Sequence, residues 1–350
     1  MFKNFENKKV LIVGGAGFIG SNLVRQILEV PGTEVTLLDN LMSSETQNIP
    51  DDSRVRFIYG SACDPSVLKL VHDEYHFIYN LACFHGNQSS LFDPLKDHEN
   101  NALPSLMVLE HIKGFQTLEK YVYAAAACAV AEKTYDTASE TVEDQPVSLD
   151  HDTPYSISKI IGELYANFYA KEHGIHVVKA RFSNAYGRHE VLGAGEWRGT
   201  PHTVWRNVVP TFIWKCLHGE PITLFNNGDA TRDFIFAEDM ARGLMLCALN
   251  GEQKGIYNLA TGVESSISTL AETINDLCGS KSDVILKPAR EWDNSGKRFA
   301  STKKASTVLG FEAEVSLQKG LEMTVGWTQE NYDMISATIR KHDVMMRQGH

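Results

Sequence analysis

The stretch VLIVGGAGFIGSNL, residues 10–23, decides the fold. A run of aliphatic residues stops at a glycine pair, and a helix-spaced apolar pattern begins a few residues later. Gly14, Gly17 and Gly20 fall in a GxxGxxG spacing. Glycines at such a junction permit a tight turn, let backbone N–H groups approach a pyrophosphate, and aim a helix N-terminus at it. Plain turns carry glycines too, so context has to decide. TEVTLLDN, residues 33–40, supplies it: Asp39 ends a second strand where an acidic residue accepts hydrogen bonds from an adenosine ribose. A carboxylate there repels a 2′-phosphate, and no arginine follows directly, so NAD is the expected cofactor. Its expected contacts are Gly14, Gly17, Phe18, Ile19, Gly20, Asp39, Asn40, Ala62, Leu81 and Ala82, joined by Tyr155 and Lys159.

Outward from this junction the chain alternates strands and helices. VRFIYGSA (55–62) and HFIYNLAC (76–83) read as strands, with PSVLKLVHDE (65–74) as the helix between them. A long helix follows through 99–113, where Pro104 is a potential kink, and then the strand EKYVYAA (119–125). Another helix runs from Pro154 to a C-cap at Gly174, ahead of the strand and exit loop HVVKARFSNAYG (176–187). Alternation of this kind predicts an α/β fold, a doubly wound parallel Rossmann sheet with right-handed crossovers. The expected division is a dinucleotide domain over 1–187, with 229–260 returning to it. A smaller α/β lobe spans 188–228 and 261–330, and a tail over 331–350 reads as a surface helix with a frayed end. RHEVLGAGEWRGTPHTVWRN (188–207) is too irregular for a core element and reads as a functional loop.

Bulk properties narrow the function. With 350 residues, 43% of them hydrophobic, the chain has ample material for a core, and a net charge of −11 argues against nucleic-acid binding. Six scattered cysteines without CxxC pairs or zinc spacing suit reduced thiols. No metal is expected. The first residues lack the apolar core of a leader and no run reaches membrane length, so a cytoplasmic protein is expected.

Tyr155 and Lys159 form YxxxK in PYSISK, one helical turn apart on a shared face. A phenol titrates near pH 10 unaided, and a neighbouring ammonium favours its phenolate. GGAGFIG, the acidic strand end, YxxxK, RFSNAYG and TRDFIFAEDMARG together resemble the extended short-chain dehydrogenase/reductase family, and within it the NAD-dependent nucleotide-sugar epimerases and dehydratases. The resemblance reaches to about residue 328. It implies an enzyme that oxidises a nucleoside-diphosphate sugar to a transient keto-sugar, most simply at C4, then inverts and re-reduces it. It also implies a homodimer packed through the helices near 98–113 and 154–172. Asn184 and Asn207 are implied sugar or pyrophosphate contacts, and Arg232 and Arg298 suit the diphosphate through bidentate geometry. His85 lies on the loop after the fourth strand and is a further substrate candidate, with His202 a weaker one.

EKYVYAAAACAVAEK, residues 119–133, departs from the family pattern. Ala126 stands where the resemblance implies a Ser or Thr hydroxyl, and Ala127 and Cys128 follow where dehydratases and decarboxylases carry carboxylates. A lyase is therefore the disfavoured alternative, and an NAD-binding protein that has lost catalysis is a third reading. Ala126-Ala127-Cys128 is similar to a segment of the GDP-mannose 3,5-epimerases, whose cysteine works with a lysine on a Gly/Trp loop. Arg198 of GAGEWRG takes that lysine's place. Cys128 is thus either a proton-exchanging thiol or a buried small hydrophobe.

Overall fold

The computed structural model describes residues 2–127, 134, 136–289 and 296–348. Seven strands make the central sheet: β1 (Lys9–Val13), β2 (Glu34–Asp39), β3 (Val55–Tyr59), β4 (Phe77–Asn80), β5 (Lys120–Ala126), β6 (Val177–Phe182) and β7 (Ile256–Leu259). Their order is β7-β6-β5-β4-β1-β2-β3, and every neighbouring pair is parallel. This is the doubly wound Rossmann arrangement expected from the alternation. Strand order reverses beside β1, and in such sheets the crevice at that point receives the ligand.

Side chains alternate across the sheet with period two. Val10 and Ile12 of β1 enter one apolar cluster, while Leu11 and Val13 enter another on the opposite face. Burial on both sides explains why the strand reads as an unbroken hydrophobic run. The covering helices are α1 (Phe18–Leu28), α2 (Leu103–Ile112), α3 (Pro154–Glu172) and α4 (Ala237–Asn250). Leu23 and Ile27 of α1 pack with Met240 and Leu244 of α4 on the first face. Val108 and Leu109 of α2 pack with Ala166 and Tyr169 of α3 on the other.

A second core lies outside the sheet. Ile213 of helix Val208–Leu217, Ile274 of helix Ile267–Leu277 and Leu321 of α5 (Leu317–Glu330) meet there with Leu224 and Phe236. The short strand Phe234–Phe236 runs parallel to Asn184–Tyr186, just beyond the end of β6, and leads directly into α4.

The structure refines three local expectations. Only Pro65–Leu68 of the 65–74 stretch is helical. Pro104 lies inside a continuous right-handed helical run: a π-helical segment, His98–Ala102, leads directly into α2, and this wider turn stands just before the residue that offers no N–H. Past residue 330 the expected surface helix is present, as Tyr332–Arg340 followed by Asp343–Gln348, and it is docked on the body. Ile335 and Ile339, one turn apart, bury against Val191, Leu192 and Trp327, and the His342 ring bonds the Gly193 carbonyl at 2.8 Å.

A buried ion pair ties β6 to α3. Arg181 Nε and Nη2 donate to the two carboxylate oxygens of Glu163, each at 2.9 Å, and Nη1 donates to the Glu143 carbonyl at 2.9 Å. Removing one partner strands the other charge in a dry interior, which costs roughly 3–5 kcal/mol. Glu163→Met is expected to lower the thermal midpoint sharply, and the double variant Glu163→Met/Arg181→Met to regain part of it. Equal midpoints for wild type and Glu163→Met would show the pair to be energetically silent.

Candidate active site

A cleft of about 1260 Å³ opens at the carboxyl ends of the strands, between the sheet and the second core. One half is built for a dinucleotide. Gly14 has φ +83°, and a Cβ there would stand 2.6 Å from the Ala82 nitrogen; one on Gly20 would stand 2.4 Å from the Gly14 oxygen. Only glycine permits both approaches, so the turn and α1 press against the sheet and leave room for a pyrophosphate. Gly17 is the N-cap of α1, and Gly14, Gly17, Phe18, Ile19, Gly20, Ala62, Leu81 and Ala82 all line the cleft.

Asp39 and Asn40 line it as well. The Asp39 carboxylate accepts from Ala16 N at 3.0 Å, Leu41 N at 2.8 Å and Ser44 Oγ at 2.9 Å. Burial raises its pKa, and these hydrogen bonds pull the other way. Asn40 Oδ1 accepts from Met42 N at 3.1 Å, which shapes the loop beyond β2. The donor set and the Cβ-free cradle fit NAD.

Tyr155 and Lys159 sit at the start of α3. Thr153 caps the helix, its Oγ1 accepting from Ser156 N at 3.3 Å, and Pro154 fills the first turn. Tyr155 and Lys159 therefore emerge together on the cleft floor. Lys159 Nζ donates to the Ala124 carbonyl at 3.0 Å and lies 5.9 Å from the centroid of the Tyr155 ring. Behind them Asp97, fully buried, accepts from Ser158 and from Asn101, fixing the helix against the π-helical turn. Ala126 packs on Tyr155, so a methyl does stand at the hydroxyl position, with Cys83 beside it. The Cys83 thiol points to the phenol oxygen at 3.9 Å. Cys128 lies outside the described residues.

Opposite the Tyr155–Lys159 pair, the loop 188–207 brings polar groups into the cleft. His85 Nε2 meets Asn207 Oδ1 at 3.0 Å, and Asn207 Nδ2 donates to Glu190. The His85 ring stands edge-on to Tyr155, centroids 6.1 Å apart. Burial lowers the His85 pKa to about 4 and raises that of Glu190 to about 7. Asn184 lies exposed at the lip, and Arg232 and Arg298 line the far end. Arg232 Nη1 donates to the Gly296 carbonyl at 2.8 Å. Asp233 holds that end together by accepting from Thr261 N and Gly262 N, both at 2.9 Å.

Arg198 is a correction. It is absent from the cleft lining and only 3% exposed. Turns at Gly195 and Gly199, with φ +84° and +85°, fold the loop so that the guanidinium lies over Phe84 and donates to the His85 carbonyl at 2.9 Å. It supports the His85 loop instead of lining the cleft. Trp197 is likewise turned away, against His342, whereas Trp205 and His202 do line the cleft. Sequence reasoning missed Cys83, Glu190 and Arg206. Cys83 was legible as the residue ending the fourth strand segment; Glu190 and Arg206 carried no signal beyond their place on an irregular loop.

The Glu190 shift makes a stability prediction. Its carboxyl titrates near 7 in the fold against 4.5 as a free group, so the folded state favours the protonated form. That contribution is complete at low pH and is lost as pH rises through 7. Glu190→Gln keeps a neutral group throughout, so its stability relative to wild type should increase between about pH 5 and pH 8 by about 3 kcal/mol. Parallel melting-temperature curves for the two proteins across that range would contradict the shift.

Comparison with known proteins agrees with this geometry. Residues 10–260 match the model of the NAD dependent epimerase/dehydratase family. The crystal structure of the Bordetella bronchiseptica enzyme WbmF in complex with NAD+ and UDP is 47% identical, with 99% of each chain covered and a TM-score of 0.88. The structure of epimerase Mth375 from Methanothermobacter thermautotrophicus is 33% identical, with 96% of each chain covered and a TM-score of 0.88. UDP-glucuronic acid decarboxylase 6 of Arabidopsis thaliana is 29% identical, over 91% of this chain and 88% of that protein. With its glycine turn, its Asp39 and its Tyr155–Lys159 pair in one cleft, the chain belongs to the NAD dependent epimerase/dehydratase family.

Proposed function

We propose that this protein is an NAD-dependent epimerase of nucleoside-diphosphate sugars, with a uridine nucleotide as the carrier. One observation carries the reading: Tyr155 and Lys159 share the cleft floor with Ala126 and Ala127, so the oxidising pair is kept while a carboxylate that would drive elimination is missing from that strand end. The uridine assignment is supported by the UDP complex of WbmF, at 47% identity.

NAD, when bound, would supply reversible hydride transfer at the sugar carbon. Gly14, Gly17 and Gly20 would face its pyrophosphate, Asp39 its adenosine ribose, and Lys159 its nicotinamide ribose. Tyr155 receives the proton of the sugar hydroxyl being oxidised, C4 in the simplest course, and gives it back after inversion. Lys159, 5.9 Å from the phenol ring, favours the phenolate electrostatically. Arg232 and Arg298 would hold the diphosphate, and Asn184, Asn207 and His85 the sugar. In this reading residues 1–187 with 229–260 form the cofactor domain, and 188–228 with 261–330 the substrate lobe.

A homodimer is part of the proposal. Ile157, Leu164 and Phe168 are exposed along α3, spaced by seven and four residues, and Phe92 and Leu95 are exposed as well. That stripe has helical spacing and suits a two-fold helix contact. The cytoplasm is the proposed compartment: the described cysteines are all free, and no helix among the described residues is long and apolar enough to cross a membrane.

Proton NMR of the enzyme with UDP-sugars in D₂O tests the function. A new UDP-sugar that retains C6 and its hydroxyl is expected, and Tyr155→Phe should slow its formation by on the order of 10²-fold or more. Loss of C6 or of its hydroxyl would make the protein a lyase, and no conversion of any sugar would favour a cofactor-binding protein without catalysis. For the dimer, Leu164→Asp with Phe168→Asp should halve the mass seen by light scattering; an unchanged mass would place the interface elsewhere.

A further inference from the structure

The oxygen that an epimerase oxidises changes character during the reaction. As a hydroxyl it donates and accepts; as a ketone it only accepts. A Ser or Thr hydroxyl follows such a change by rotating, since it can do both. Ala126 cannot, so the group that meets this oxygen must come from elsewhere. A neutral imidazole nitrogen either donates or accepts, according to its tautomer.

Three side chains on two loops have the geometry to switch that tautomer. His85 Nε2 is 3.0 Å from Asn207 Oδ1, and Asn207 Nδ2 donates to Glu190 Oε1. Glu190 is 8% exposed, lines the cleft, and its Oε2 is buried without a hydrogen-bond partner among the described residues. An unpartnered carboxyl oxygen in so dry a place is costly as an anion and readily carries a proton. Among the described residues the His85 ring is bonded through Nε2, which leaves Nδ1 for a ligand, and the ring lines the cleft edge-on to Tyr155.

We propose that Glu190, Asn207 and His85 form one proton-positioning unit, in which the Glu190 carboxyl sets the tautomer of His85 and turns Nδ1 from acceptor to donor towards the sugar oxygen on which Tyr155 acts. The identity of that oxygen rests on the epimerase reading; the switch does not. With Glu190 ionised, the Asn207 amide must give its N–H to the carboxylate. Its oxygen then faces His85, so Nε2 carries the proton and Nδ1 accepts. With Glu190 protonated, its O–H donates to the Asn207 oxygen, the amide is reversed, and its N–H meets Nε2. Nδ1 then carries the proton and donates. The imidazole holds one proton in both arrangements and the carboxyl gains one, so the unit takes up a single proton in switching.

The charged neighbours permit this near neutral pH. Arg206 faces both His85 and Glu190, and Arg198 faces His85. Burial lowers Arg198 to about 9 and Arg206 to about 10, so both remain cations through neutrality and keep His85 from becoming an imidazolium. His85, near 4, stays neutral while Glu190, near 7, titrates. A pH-dependent change at His85 in that range is thus a tautomer change.

Glu190 acts through His85, as a positioning residue, and nitrogen-15 NMR reads its effect directly. The NAD-loaded enzyme, without sugar, is labelled at its thirteen histidines, and His85 is assigned from the signals missing in His85→Gln. In wild type the proton is expected on Nε2 at about pH 8.5 and on Nδ1 at about pH 5.5, with a midpoint near that of Glu190. In Glu190→Gln one tautomer should persist throughout, and Glu190→Asp should restore a crossover with a different midpoint. One unchanging tautomer in wild type overturns the proposal whether or not the variants fold, and an identical crossover in Glu190→Gln overturns it too. A crossover in an enzyme that converts no sugar would sustain the unit and remove the epimerase reading; conversion without a crossover would do the reverse.

Discussion

No side-chain atom fits between the first turn of this protein and its fourth strand, and the rest of the structure is arranged around that constraint. A Cβ on Gly14 would collide with the backbone of Ala82, and one on Gly20 with the Gly14 carbonyl. The bare backbone lets α1 begin almost in contact with the sheet, where its unpaired N–H groups and partial positive charge favour a phosphate. The turn is held from the neighbouring strand as well: Gly14 N donates to the Leu38 carbonyl at 2.8 Å, and Ala16 N donates to Asp39. The carboxylate proposed to meet a ribose therefore also shapes the loop proposed to meet the pyrophosphate. Cofactor geometry and fold geometry are one requirement here.

Around Tyr155 the requirement differs. The strand end that reaches it presents methyl groups, and Ala126 with Tyr155 forms a small apolar cluster that includes Cys83 and Ile160. Hydrogen-bonding capacity has moved from the strand to the loops facing it, onto Cys83, His85, Asn207 and Glu190. Groups on a strand end are fixed by the sheet; groups on loops need their own support. Arg198 gives it by holding the His85 carbonyl from below, which explains a buried guanidinium with Nε and Nη2 unpartnered among the described residues. An ion so placed is expensive to bury, and its position against Phe84 recovers part of the cost.

The sequence made the sheet, its cofactor and the shared placement of Tyr155 and Lys159 legible because each depends on local rules. Strand burial writes hydrophobic runs, tight approaches write glycines, and a helix start writes Thr153-Pro154 ahead of Tyr155. What it hid depends on contacts between distant segments. Arg198 was expected in the cleft because the resemblance puts it in the place of a lysine on a Gly/Trp loop, but likeness of loop composition does not reveal which way this loop folds. Glu190 was invisible because its shifted titration arises from burial, and burial of one carboxylate on an irregular segment leaves no periodic trace. The tail misled for a related reason. Ile335 and Ile339 make a narrow apolar edge, and only the surface formed by Val191, Leu192 and Trp327 shows that it is covered.

The loop over 188–207 joins these parts physically. Asn22 of α1 donates to the Arg188 carbonyl at 2.9 Å, and Asn48 to the His189 carbonyl at 3.2 Å. Gly195 N donates to Glu45 at 2.9 Å, and Glu196 N to the Met42 carbonyl at 3.0 Å. Glu45 is also paired with Lys341 of the docked tail. Both segments that receive the loop, the start of α1 and the stretch after Asp39, border the cofactor's side of the cleft. Glu190 therefore lies between anchors on the dinucleotide side, while Asn207 opens the helix Val208–Leu217 of the second core. The bond between these two residues spans the cleft's two supports, so a displacement of either one acts on His85, and through His85 on the surroundings of Tyr155.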